Sequence, residues 1–447
     1  MYGRIGHNCA LLPETPPTPE HLLTPSDAPG VLLIGTLDTK GEEIAFVADE
    51  LAALGCDPVV LDSGILGEPA WNGAQVSRQT VAQAAGTTLS RLTELPRGDA
   101  LTRMAEGVKA IALALAREGR VEGALCIGGA GVSLAVPAFE ALGHGFPKLL
   151  VTPLASGQRK FAAFVGTADT AVMHSVADIM GINDVTEPVF VEAAGFIAGA
   201  VHARRRAVRR DGRADRYLIA ASMNGNTTPA LMYAKQQLAL RGAELVTFHA
   251  NGTGGRAMEQ LAEQGLFRAV LDYTTTELAG EIVGGLMSAG PERMEVAGRL
   301  GLPQVLVPGC LDLITTGRYD ETKESWPGRS LYPHNPEFTL VRLTSDEMTT
   351  LGRCFAEKAN RALAPVRICV PLNGFSVPNH PAGPFWDPDA DRAFVAALEE
   401  SLSPQITVDL VEAHINDVRF VDHVVNVLTE FLADAHLELA NDVEVIR

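Results

Sequence analysis

The sequence predicts an α/β protein of two doubly wound, Rossmann-like domains with mainly parallel sheets. Three observations carry that expectation. Short apolar runs alternate with segments of helical period along most of the chain. The alternation pauses near residue 200 and restarts at Tyr217. Glycine is abundant, with 43 of 447 residues, while aromatics make up 6%, a mix suited to many tight strand-to-helix turns.

Residues 1–29 carry six prolines and read as a loose arm. The first domain, residues 30–200, opens with the buried run 31–34 and a polar turn over 36–40. A helix over 42–54 follows, with Ile44, Val47, Leu51 and Leu54 on one stripe. Strands at 57–62, 123–127 and 148–152 and a helix at 100–118 complete its pattern. Strands alternating with helices imply a parallel sheet covered on both faces. The second domain, residues 201–447, repeats the scheme. Its strands fall at 217–222, 244–248, 268–272, 303–307, 366–370 and 406–411. Its helices fall at 228–241, 256–264, 277–299, 344–362, 389–402 and 417–434.

Composition narrows the partners. Asp and Glu number 54 against 36 Lys and Arg, a net charge of −18, which disfavours general nucleic-acid binding. An anionic ligand in one local pocket remains compatible with it. The arginine run over 204–216 lacks interleaved aromatics and reads as a solvated helix end and linker. The six cysteines form no CxxC pair and sit where apolar residues would, as reduced thiols of a cytoplasmic protein do. No apolar stretch approaches the ~20 residues of a membrane span, and no signal peptide is expected.

In open parallel sheets, ligands bind beyond the carboxyl ends of the strands, so the polar loops there are the candidate sites. Gly35-Thr36-Leu37-Asp38-Thr39-Lys40 follows the first strand. Its small residues admit a phosphate, Lys40 adds charge, and Asp38 is placed to hold Mg2+ through a water. It lacks the Walker A order. Gly128 and Gly129 open a second such turn, though without the full dinucleotide fingerprint. Ser156 follows the fourth strand as a hydroxyl ligand. No nucleophile-elbow motif surrounds it.

The sharpest local signal is His249 through Arg256. There Gly252, Thr253, Gly254 and Gly255 form a ready anion nest, and Arg256 is poised to grip a phosphate or carboxylate. Thr275 and Thr276 read as hydroxyl ligands, with helix capping by Thr276 as the alternative. Asp312 after another strand reads as a metal or ribose ligand.

Eight collinear segments resemble one family. They are IGTLDTKGEE (34–43), GFPKLLVTPLASG (145–157), SVADIMGIN (175–183), FHANGTGGRAMEQL (248–261), LDYTTTEL (271–278), NPEFTLVRLTSDE (335–347), PLNGFS (371–376) and PFWDPDAD (384–391). The family is an otherwise uncharacterised one of bacteria, fungi and plants that includes the tomato mosaic virus resistance protein. The resemblance covers roughly residues 30–435. It implies two Rossmann-like subdomains, ATP binding and a homodimer. The nucleotide contacts it implies are Thr36, Asp38, Lys40, Gly128 and Gly129, with Gly252 to Arg256 as second-domain equivalents. This chain departs from the family's turns at Ala130-Gly131-Val132-Ser133 and at 225–229, leaving the ligand open.

Three functions therefore stand at this stage. The first is an ATP-binding cytosolic protein. The second is an enzyme on a small anionic metabolite, a sugar acid or acyl phosphate, with His249, Glu277 and His380 as acid/base candidates. The third is a protein-interaction module.

Overall fold

The computed structural model describes residues 27–155, 162–208 and 217–444. The proline-rich arm up to residue 26, Ser156, and Arg209, Arg210, Arg213 and Arg216 of the arginine run lie outside the described residues. The chain divides into two compact units, residues 1–212 and 213–447. The helix Thr186–Val208 runs straight through the boundary expected near residue 200.

The first unit holds one five-stranded sheet: β1 (Gly30–Gly35), β2 (Asp57–Asp62), β3 (Gly123–Ile127), β4 (Lys148–Thr152) and β5 (Ala171–His174). Its spatial order is β2-β1-β3-β4-β5, with every pairing parallel. Both faces are covered. Val31 and Leu33 pack with Ile44, Val47 and Ile197 on one side, and Leu32 and Ile34 with Met104 and Val108 on the other. That is why β1 reads as an unbroken apolar run.

The second unit contains β6 (Tyr217–Met223), β7 (Ala243–His249), β8 (Ala269–Thr274), β9 (Gln304–Gly309), β10 (Leu313–Thr316), β11 (Leu331–Pro333), β12 (Thr339–Arg342), β13 (Val366–Pro371) and β14 (Thr407–Val411). Six of them form a parallel sheet in the order β14-β13-β9-β8-β6-β7. Counted from its own first strand, this is the first unit's order with one strand added. A small antiparallel sheet, β10-β12-β11, accompanies it. That sheet and β5 went unread in the sequence because their strands span only three or four residues.

One expected helix is not formed. Residues 277–299 break into a short helix, Thr276–Ala279, a π-turn, Gly280–Gly284, an irregular stretch, and a second short helix, Val296–Arg299. Gly284 and Gly290 adopt φ of 101° and 89°, outside helical space, and Pro291 follows. The break turns Arg293 into the interior. By contrast, the helix Ser345–Ala359 starts where a capping box fixes it, with Thr344 and Glu347 satisfying each other's backbone.

Among the described residues five cysteines are free thiols, with only Cys354 partly exposed. No described helix is long and apolar enough to cross a membrane. Two arginines of the basic run are committed locally: Arg205 pairs with Glu122, and Arg204 lies over Phe146 at 5.3 Å.

Candidate functional site

In each unit the strand order reverses direction between its first and third strands. A crevice opens at such a switch point, where the loops leaving the two strands diverge. In the first unit, those loops are 36–41 and 128–134.

The 36–41 loop is built by its own hydrogen bonds. Thr39 and Lys40 amides both donate to the Thr36 carbonyl, and the Thr36 and Thr39 hydroxyls lie 3.0 Å apart. Lys40 departs from helical geometry (φ −131°, ψ 22°), so the turn is distinct from the helix that follows. Its ammonium donates to the Ile179 carbonyl. Gly35 is closely packed, since a Cβ there would lie 2.5 Å from Ile44 Cδ1 and would displace that side chain.

Asp62, at the end of β2, was not singled out in the sequence. Its Oδ1 accepts the Leu37 amide at 3.1 Å and the Gly64 amide at 2.8 Å, which anchors the turn. Asp38 approaches the same glycine, so the two carboxylates flank Gly64. Burial pushes the Asp62 carboxyl above its ordinary range, and the Asp38 charge adds to that, against the two amides and Arg78. Two carboxylates at the mouth of a crevice suit a divalent cation with oxygen ligands.

The 128–134 loop faces it. A Cβ on Gly131 would lie 3.3 Å from Thr36 Cγ2, so the two loops touch across the switch point. Gly129 (φ −76°, ψ −120°) leads into a 3-10 turn, Ala130–Leu134. No described atom lies within 4 Å of a Cβ built on Gly129, and Gly128 has only Val132 at 3.8 Å. Packing among the described residues therefore does not account for these two glycines. The structure thus sets the loop carrying Thr36, Asp38, Thr39 and Lys40 against the loop that opens with Gly128 and Gly129, with Thr36 and Gly131 at the contact.

The second unit's nest is different, and here the sequence expectation is corrected. Glu277 is fully buried, and its Oε1 accepts the Gly252 amide at 2.8 Å and the Gly255 amide at 3.2 Å. Asn251 Oδ1 takes the amides of Thr253 and Gly254, each at 3.2 Å. The four amides that would cradle a phosphate are thus occupied by the protein. The glycines are dictated by close packing: a Cβ on Gly254 would lie 2.0 Å from the His249 carbonyl oxygen, and one on Gly255 1.9 Å from Glu277 Oε2. Arg256 is exposed beside this sealed loop.

Glu277 is held in turn by Arg293, whose side chain is fully buried. Arg293 Nε donates to Glu277 Oε2 at 2.7 Å, and its two terminal nitrogens donate to Asp272 at 2.5 and 2.7 Å. Burial alone would lower its pKa, but the Asp272 and Glu277 carboxylates hold it well above the ordinary range. Ser222 donates to Asp272 at 2.6 Å and accepts the Thr274 amide at 2.8 Å. The network locks the ends of β6 and β8 and the loop after β7. With both carboxylate oxygens engaged, Glu277 is a structural anchor and leaves the acid/base candidates.

The remaining candidates also resolve. The buried Thr275 and Thr276 hydroxyls donate to the Val307 and Leu313 carbonyls at 3.1 and 3.4 Å. Thr275 holds the N-cap position, not Thr276, and makes no capping bond. His249 is exposed at the end of the outermost strand β7, while His380 follows β13, four strands away. At the usual strand spacing that separates the strand ends by about 19 Å. Asp312 is fully buried and accepts the Ser376 hydroxyl at 2.7 Å.

A third carboxylate completes the Arg293 network. Glu259 Oε1 accepts the Met294 amide at 2.5 Å and lies 3.4 Å from Arg293 Nη1. One guanidinium cannot balance three carboxylates in a dry interior, and burial pushes Glu259 up to about 7 from 4.5. Between those values the folded protein keeps a proton that the unfolded chain has released. Stability from this group is therefore full below pH 4.5, falls as pH rises to 7, and is flat above. The loss is roughly 3 kcal/mol. Urea denaturation at pH 5 and pH 8 should show that drop in the wild type and a markedly smaller one in Glu259→Gln. An equal drop in both would contradict the assignment.

Two doubly wound units, each with a switch point in its strand order, define a two-domain Rossmann-like protein. The chain belongs to the uncharacterised protein family UPF0261, as the eight segments implied. Its N-terminal domain matches residues 29–206 and its C-terminal domain residues 216–432. A family member from Clostridium tetani is 36% identical over 394 residues, covering 87% of this chain and 96% of the relative. One from Mesorhizobium japonicum is 35% identical over 401 residues, covering 88% and 97%. The ToMV resistance protein Tm-1(GCR237) of Solanum lycopersicum is 30% identical over 428 residues, covering 91% of this chain and 56% of that protein. Among solved structures, the glycosyltransferase SnogD from Streptomyces nogalater aligns over 90% of this chain at 13% identity. Its TM-score of 0.22 is too low to carry an argument.

Proposed function

We propose that this protein binds ATP with Mg2+ at the switch point of its first unit. The observation that carries the reading is the meeting of the Thr36 and Gly131 loops beside glycines whose side-chain space is empty. Gly128 and Gly129 would let the backbone approach the phosphates, and the Thr36 and Thr39 hydroxyls would hydrogen-bond them. Asp38 and Asp62 would hold Mg2+, which offsets their repulsion of the phosphates; Lys40 adds positive charge. A bound Mg2+ supplies charge neutralisation, and the residues of this chain supply orientation.

The alternative of an enzyme on a small anionic metabolite loses support because Glu277 is locked by Arg293 and two backbone amides, and His249 and His380 follow strands four apart in the sheet. The reading includes a homodimer in the cytoplasm. Exposed Val176, Met180 and Val185 of the first unit offer an apolar contact, and free thiols suit a reducing compartment.

Photolabelling with an azido-ATP, followed by peptide mapping, tests the location. Label on peptides containing 36–41 or 128–134, competed by ATP, is expected. Label confined to the peptide carrying 249–256 would refute the reading.

A further inference from the structure

Cys369, Asp409 and His423 form a cluster in the second unit that plays no part in the nucleotide reading. Cys369 and Asp409 are register partners on the parallel strands β13 and β14, so their side chains leave the same face of the sheet. His423 comes from the helix Val418–Glu444, which packs on that face through Phe420, Val421, Val424 and Val425. The sulfur, a carboxylate oxygen and an imidazole nitrogen all lie within 4.8 Å of one another. His423 Nε2 is 2.9 Å from Asp409 Oδ2.

We propose that these three residues bind Zn2+, or a divalent cation of the same borderline-soft class. Thiolate, imidazole and carboxylate is a donor set that zinc accepts, whereas Mg2+ and Ca2+ want oxygen alone. Tetrahedral coordination at normal bond lengths places ligand atoms about 3.4–3.7 Å apart. His423 Nε2 reaches that spacing by moving about 0.5 Å away from Asp409 Oδ2, and the sulfur, within 4.8 Å of both, needs a shift of at most about 1 Å. Cys369 is buried, while the Asp409 and His423 side chains are 18% and 38% exposed on the edge strand and its covering helix. Ions therefore have a route in, and three protein ligands leave a fourth position for water.

Arg367 fits this arrangement as a supporting group. One of its nitrogens contacts Asp409 Oδ1 at 3.2 Å and Oδ2 at 3.1 Å. It can keep Oδ1 while Oδ2 turns to the metal, the way ligating carboxylates are held by an outer partner. On binding, the Cys369 thiol gives its proton to solvent and the thiolate takes its place on the ion.

The test uses the full chain, purified without a histidine tag and stripped by chelator. Titration with Co2+ should give one equivalent of binding and a thiolate-to-cobalt charge-transfer absorption, which Zn2+ abolishes by displacement. Cys369→Ser should remove that absorption. Because Cys369 is buried, the part-exposed His423→Ala carries the test independently, with metal affinity reduced at least about tenfold. Absence of the absorption in the wild type would overturn the proposal. So would its persistence with unchanged affinity in His423→Ala.

Discussion

Arg293→Met is expected to leave the second unit unfolded or close to it. The variant removes the cation that Asp272 and Glu277 share and leaves two carboxylates in the interior. Breaking a buried pair from one side costs about 3–5 kcal/mol, and here one side chain serves two partners. Typical domain stability is about 5–15 kcal/mol, so the loss takes a large share. The damage spreads, because Glu277 also anchors the Gly252 and Gly255 amides. Arg293→Lys keeps the charge but not the fork, and should fall between. Urea denaturation followed by circular dichroism reads the effect. A Met variant within about 1 kcal/mol of wild type would show that the network is not what holds these loops.

Gly129→Leu is expected to weaken nucleotide binding about a hundredfold while leaving the protein folded. No described atom stands within 4 Å of a Cβ at this position, so a side chain is admitted by the fold and, in the proposed binding mode, would stand where the phosphates lie. The ψ of −120° is one that glycine reaches more readily, so both Leu and Ala should cost about 1–3 kcal/mol of stability. The two substitutions therefore separate backbone from occupancy. Gly129→Ala should bind ATP within a few-fold of wild type, and Gly129→Leu about a hundredfold more weakly, a difference of ~2.7 kcal/mol. Equal affinities in the two variants would place the phosphates elsewhere.

The sequence made the sheets legible and left their exceptions hidden. Val31 to Ile34 is apolar throughout because both sheet faces are covered, and such runs mark nearly all the strands of the two parallel sheets. Residues 277–299 misled because Leu278, Ile282 and Leu286 carry a helical spacing, while three backbone-breaking positions within the segment decide its path. The same break conceals Arg293, whose partners Glu259, Asp272 and Glu277 are 16 to 34 residues away in the chain.

The two glycine loops show the limit more sharply. Gly128-Gly129 and Gly252 to Gly255 look alike as strand-to-helix turns, and the second has the richer composition. A buried carboxylate fills the second and none of the described side chains fills the first. Glu277, quoted in the sequence as a proton-transfer candidate, is the residue that fills it. Composition identifies where a backbone can approach an anion; it does not say whether that anion is a ligand or the protein's own glutamate. Asp62 was legible only through its position, as the last residue of the strand beside β1.

The most direct measurement is a calorimetric titration of ATP into the full chain, with Mg2+ and then with excess EDTA. The account predicts saturable binding that requires Mg2+, because Asp38 and Asp62 repel unescorted phosphates. Absence of binding at millimolar ATP with Mg2+ would contradict it, as would equal affinity in EDTA.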